Sequence, residues 1–148
     1  MRMLSESSNK ESLDQALGSI KQEAIVKILR ECVDPGSIVM FGSFAKGMNR
    51  EDSDLDLAYI ARQTRPTAYE RFRIASTLAD AVGREVDLID FEQASPVLQA
   101  QIIGSGVLLH DGEPDKRQQL FMRSLKEYAM LNEERSEIIE KRMREGQT

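Results

Sequence analysis

The chain has 148 residues, 41% apolar and 30% charged, which suits one ordinary soluble domain with a hydrophobic core and leaves no room for a second. A formal charge of -5 and a pI near 5.0 argue against a general nucleic-acid binder, which needs surplus Lys and Arg to neutralise phosphate. A single cysteine, Cys32, excludes an internal disulfide, and a single histidine, His110, removes the basis for histidine metal sites and Ser-His-Asp catalysis, so carboxylates must carry any chemistry.

Residues 1–12 are polar and expected to fray, and too polar for a signal-peptide core; no apolar run approaches the roughly 18 to 20 residues that span a bilayer, so a cytoplasmic protein without membrane contact is expected. From residue 13 to 148 the pattern is that of one domain. Leu13, Leu17, Ile20, Ala24 and Ile28, widened by Ile25 and Leu29, recur at helical spacing and predict a first helix that stops at Asp34-Pro35-Gly36, with Cys32 a small filler near its end. Ser37 to Phe41 reads as a buried strand, followed at Ser43 by a turn and short helix, and a second strand is predicted over about Asp54 to Ile60.

Pro66 marks a loop, after which Ala68, Phe72, Ala75, Ala79 and Val82, with Leu78, predict a second helix that Gly83 can cap. A third strand is expected over Glu85 to Ile89. Ser95-Pro96 signals the start of a short helix ending at Gly104, because serine caps free amides and proline lacks only an N–H that the first turn does not use. Gly106 to His110 reads as an edge strand, and a long helix follows over 115–144 with a stripe of Phe121, Leu125, Tyr128, Leu131 and Ile138. The alternation of helices and short strands predicts an α/β fold, a small mixed β-sheet flanked by helices with a long C-terminal helix.

The chemistry concentrates in Gly42 to Asp56, where a Gly-Ser pair follows the apolar run Ile38 to Phe41 and is separated by ten residues from Asp54-Leu55-Asp56. A strand that ends in a tight Gly-Ser turn can aim backbone N–H groups at phosphate oxygens. A second strand then returns two carboxylates, which as residues i and i+2 share a face about 6 to 7 Å apart at Cα and can ligate one or two Mg²⁺ ions bridging nucleotide phosphates. Asp87 lies within Val86-Asp87-Leu88-Ile89, where burying an unpaired carboxylate would be expensive, so a metal or charged partner is expected beside it. Asp90, of opposite strand parity, is the second choice for a third carboxylate, with a capping role as the alternative. The acidic surplus sits here too: Asp34 to Glu92 holds eleven acidic against seven basic residues, whereas Asp115 to Thr148 is nearly balanced.

These positions resemble the polymerase-beta-like nucleotidyltransferase superfamily, and within it the minimal nucleotidyltransferase branch, over about Ile38 to Phe91. The resemblance implies that fold; it implies that Asp54, Asp56 and Asp87 are catalytic and ligate two Mg²⁺ ions, with Asp87 helping to orient or deprotonate the attacking hydroxyl, and that Gly42, Ser43 and nearby amides hold the triphosphate of ATP. Lys46 stands before Gly47 where the branch often has arginine, which keeps the charge and loses the bidentate fork, a loss Arg50 could offset. Ser53 is placed to contact phosphate or metal-bound water, or only to cap the turn before the strand. The small size and long C-terminal helix are similar to the MntA-type antitoxins of HEPN/MNT toxin–antitoxin pairs, which implies transfer of AMP from ATP to a tyrosine of a HEPN-domain ribonuclease toxin within a hetero-oligomer. The competing expectations are nucleotidylation of a small hydroxyl compound such as an aminoglycoside, a non-catalytic toxin-binding module, and, less favoured by the acidity, nucleic-acid polymerisation.

Overall fold

A computed structural model describes residues 19–50 and 52–146. The expected frayed segment, and Leu13 and Leu17 of the first predicted helix, lie outside the described residues. Helix α1 spans Ser19–Cys32, strand β1 Ser37–Phe41, β2 Leu55–Ile60, α2 Ala68–Val82, β3 Val86–Asp90, α3 Pro96–Ser105, β4 Val107–Asp111 and α4 Pro114–Glu145, with a 3-10 turn at Phe91–Gln93. The four strands form one mixed sheet in the order β3-β2-β1-β4. β1 is antiparallel to both β2 and β4, and β2 is parallel to β3, the crossover being made by α2.

Strand alternation gives the sheet two apolar faces. On one, Ile38, Met40, Leu55, Leu57, Tyr59 and Leu88 pack under α1 and α2 through Ile25, Leu29, Ile74, Leu78 and Val82. On the other, Val39, Phe41, Ala58 and Ile60 meet Phe91, Ile102, Ile103, Leu120 and Phe121 from the 3-10 turn, α3 and α4. Local chemistry agrees with these boundaries. Thr67 and Glu70 form a reciprocal capping box at the start of α2, Gly83 ends it in the left-handed region, and Ser95 accepts from Leu98 N–H ahead of Pro96.

Three expectations need correction. The buried side of α2 is Ile74, Leu78 and Val82; Phe72 lies about 120° around the helix from Leu78 and is 69% exposed. Cys32 is exposed rather than a filler. The stripe of α4 is covered only at its start: Leu120, Phe121 and Ser124 are buried, Leu125, Tyr128 and Leu131 half-buried, and every residue over 132–146 is exposed, Ile138 included. That start is pinned by Arg117, which donates to both carboxylate oxygens of Asp111 at 2.9 and 3.0 Å, and by Lys116, which donates to the Ala61 carbonyl at 2.6 Å. Because every residue over 132–146 is exposed, a chain ending at Leu131 is expected to unfold in urea within about 0.5 kcal/mol of the full chain, a difference typical of surface changes; a loss of several kcal/mol would show that this segment packs on the domain.

Candidate active site

The site forms where β1 ends and β2 and β3 begin. β1 gives way at Gly42, whose φ of 74° is in the left-handed region. Glycine is required there twice over, since a Cβ would also run into the Asp56 carboxylate. The following turn is closed by Lys46 N–H to the Gly42 carbonyl at 3.2 Å, Gly47 N–H to Phe44 at 3.3 Å and Met48 N–H to Ser43 at 2.9 Å. It does not become the short helix expected after Ser43. Gly42 and Gly47, with φ of 74° and 71°, bracket too few right-handed residues for one. Phe44, 3% exposed, anchors the turn in the α1/α2 core and leaves half-buried Ser43 at the rim.

Across the sheet, Phe41 pairs with Asp56, and Asp56 with Asp87 in the parallel register, so the two acids are direct neighbours on strands spaced about 4.8 Å apart. Asp54 lies two residues before Asp56, just outside β2, and is exposed. On this same face Ala58, Ile60 and Ile89 lie under α3 and α4, whereas the end bearing the acids is open. Asp56 is half-buried. Burial, then the charge on Asp87, then that on Asp54, raises its carboxyl pKa above the ordinary value.

Asp87 is thus beside Asp56, though not for the reason drawn from its apolar neighbours: it is exposed, and register rather than burial brings it there. The buried acid of β3 is Asp90, on the opposite face next to Tyr59, where one oxygen accepts from Glu92 N–H at 3.1 Å and the other is 3.2 Å from Arg65 Nε. Asp90 is a capping residue and stands apart from the site. Lys46 is exposed on the turn. Ser53 accepts from Arg50 N–H at 2.7 Å and so closes the turn ahead of Asp54. Arg84 went unnoticed in the sequence: its Nη1 donates to the carbonyls of Ser53 at 2.9 Å and Arg50 at 3.3 Å, and its guanidinium lies 4.6 Å from the Phe44 ring centre. Its position directly after the helix-capping Gly83 was the only available signal.

Three carboxylates are hard oxygen donors of the kind Mg²⁺ prefers. Among the described residues no three acidic, His or Cys side chains are gathered tightly enough to hold an ion unaided. Mg²⁺ is usually bound through one or two carboxylates, with water and substrate phosphates filling the other positions. The acid-on-acid repulsion at Asp56 is the feature a cation would relieve.

Residues 23–115 match the family described as polymerase beta nucleotidyltransferase. The chain belongs to that family. It is 32% identical over 123 residues to the protein adenylyltransferase MntA of Shewanella oneidensis, covering 82% of this chain and 86% of the relative. Among solved structures it is similar to a chain of a toxin–antitoxin crystallised with AMP-PNP, with a TM-score of 0.72, 32% identity, and 82% of this chain and 98% of that one covered. It is also similar to a chain of the tri-AMPylated Shewanella oneidensis HEPN toxin in complex with its MNT antitoxin, at TM-score 0.69 and 28% identity over 83% of this chain and 96% of that one. The mixed sheet with its long C-terminal helix is therefore a minimal nucleotidyltransferase fold. No helix among the described residues is long and apolar enough to cross a membrane.

Two outcomes follow for this nucleotidyltransferase. Gly42→Ala forces a side chain into a left-handed residue and against Asp56, so it should cost about 1 to 3 kcal/mol in urea unfolding and depress nucleotidyl transfer as well. Folding raises the Asp56 pKa, so between its unfolded and folded values the folded chain binds more protons, and stability without cation falls as pH rises through that window. At neutral pH Asp56→Asn should then raise the metal-free melting temperature while weakening Mg²⁺ binding; a lowered melting temperature would show that the charged carboxylate is already stabilised within the protein.

Proposed function

We propose that this nucleotidyltransferase is a protein adenylyltransferase that moves AMP from ATP to a tyrosine hydroxyl of a HEPN-domain toxin and thereby acts as its antitoxin. The observation that carries the reading is the grouping of Asp54, Asp56 and Asp87 at the open end of the sheet, with Asp56 against the left-handed Gly42 that opens the Gly-Ser turn. The likeness to MntA and to HEPN toxin–antitoxin structures supports the choice of acceptor.

In this reading Ser43 and the backbone amides of the turn hold the triphosphate, with Lys46 adding a point charge at its rim. Asp54 and Asp56, with Asp87, would hold Mg²⁺, two ions in this reading, which when bound would neutralise charge building up on the phosphates. Asp87, exposed beside Asp56, orients the acceptor hydroxyl and takes its proton as the oxygen attacks the α-phosphorus in line. The bond to the bridging oxygen of pyrophosphate breaks, and the tyrosine carries AMP. The exposed end of α4, with Ile138, Ile139 and Met143 uncovered, offers apolar surface for holding the toxin in a hetero-oligomer.

Incubation of the chain with its toxin, labelled ATP and Mg²⁺ is expected to label the toxin on tyrosine and silence its ribonuclease activity. Asp54→Asn and Asp56→Asn should each lower the rate on the order of 10² to 10³-fold, the cost of losing one group that stabilises developing charge, and chelation with EDTA should abolish it. Neutralisation that persists undiminished in both variants, with the complex intact, would make the chain a binding module and end the catalytic reading.

A further inference from the structure

The loop between β1 and β2 carries two parts of the site in separate pieces. The turn after Gly42 closes on itself through hydrogen bonds among residues 42–48, and the approach to Asp54 closes through Ser53 Oγ with Arg50 N–H and through Ser53 N–H with the Arg50 carbonyl at 3.1 Å. Neither set of bonds fixes one piece relative to the other. Arg84 touches both. Its Nη1 donates to the Arg50 and Ser53 carbonyls, the latter belonging to the peptide that leads into Asp54, while the guanidinium covers the ring of Phe44, the residue after Ser43. Arg84 is itself three residues before Asp87, and next to it the Glu85 carbonyl accepts from Leu55 N–H at 2.9 Å.

We propose that Arg84 is a positioning residue that sets the phosphate-facing turn at the correct distance from the Asp54-Asp56 pair, so that one nucleotide can engage both. The inference rests on the nucleotidyl-transfer reading of the site. A planar guanidinium can stack on an aromatic ring while two N–H groups of its edge reach two carbonyls. An ammonium cannot serve both geometries at once, so lysine keeps only part of the role. Arg84 is half-buried, and its Nη1 is committed to the Arg50 and Ser53 carbonyls while its face lies on the Phe44 ring, which fits a residue that ties two pieces of backbone together.

The test uses the full chain with its toxin and reads three quantities: binding of a fluorescent ATP analogue with Mg²⁺, the KM for ATP and kcat of transfer, and the melting temperature. Arg84→Ala is expected to raise both the analogue Kd and the KM about tenfold or more, as small misplacements of binding groups do, with a smaller change in kcat. Arg84→Lys should fall between that variant and wild type. Phe44→Leu, which keeps apolar bulk and removes the ring face, should raise KM in the same direction, and the double variant should be no worse than Arg84→Ala, since both act through one contact. Unchanged Kd and KM in Arg84→Ala, or a loss confined to kcat and melting temperature, would overturn the proposal; Phe44→Leu supplies the same comparison if Arg84→Ala fails to fold. If wild type binds the analogue and Arg84→Ala weakens it while no toxin is labelled, the functional reading fails and the positioning role stands. A wild-type chain that binds no analogue overturns both.

Discussion

The parallel register that sets Asp87 against Asp56 is the constraint on which the site depends. Three acids meet at the mouth of the sheet, and the pKa of Asp56, the most buried of them, is raised by burial first and then by the charges of Asp87 and Asp54. Such an arrangement persists because the opposite faces of the same residues hold it. Leu55, Leu57 and Leu88 alternate with the acids and are buried beneath α1 and α2, so a slip of one residue in β2 or β3 would move carboxylates into the core and leucines into water. The apolar core thereby enforces a local electrostatic cost, which a cation placed between the acids would offset.

The same alternation explains the asymmetry of the sheet's second face. Asp56, Ala58 and Ile60 lie along it in β2, and Asp87 and Ile89 in β3. Helices α3 and α4 cover the apolar end, through Ile102, Ile103, Leu120 and Phe121, and leave the acidic end open. The opening is thus written into each strand as a change from charged to apolar side chains on a single face, and the bordering Gly42 lets the backbone come close to the Asp56 carboxylate.

Much of this was legible in the sequence because it rests on short-range rules. Strand parity put Asp54 and Asp56 on one side, and the caps at Gly83 and Ser95 act through backbone groups a few residues away. What escaped depends on pairing between distant segments. Asp87 was found by an argument from burial that does not hold, since Asp90 is the buried acid of that strand; only the register with β2 distinguishes their roles. Phe72 looked like a core residue because it falls near a helical repeat, but the sheet selects the face centred on Ile74 and Leu78. Arg84 was illegible for the same reason, its partners being 31 and 34 residues away along the chain.

The far end of α4 poses the opposite problem, a helical segment with no buried side chain among the described residues. Its 132–146 portion is exposed throughout, yet short-range chemistry favours the helical state. Glu137 precedes Lys141 and Glu140 precedes Arg144 by four residues, the favourable order for such pairs, and Arg142 and Arg144 lie in the last turn where the helix dipole prefers cations. Glu133 and Glu137 have the same spacing and repel, which reduces the gain. Individual pairs contribute only about 0.2 to 0.5 kcal/mol, so continuity with the first turns, locked by Arg117 on Asp111 and Lys116 on Ala61, has to supply the nucleus that a free peptide would lack. The helix is therefore presented already formed, and a partner that covers Ile138, Ile139 and Met143 would gain apolar burial without first meeting the entropy cost of ordering the segment.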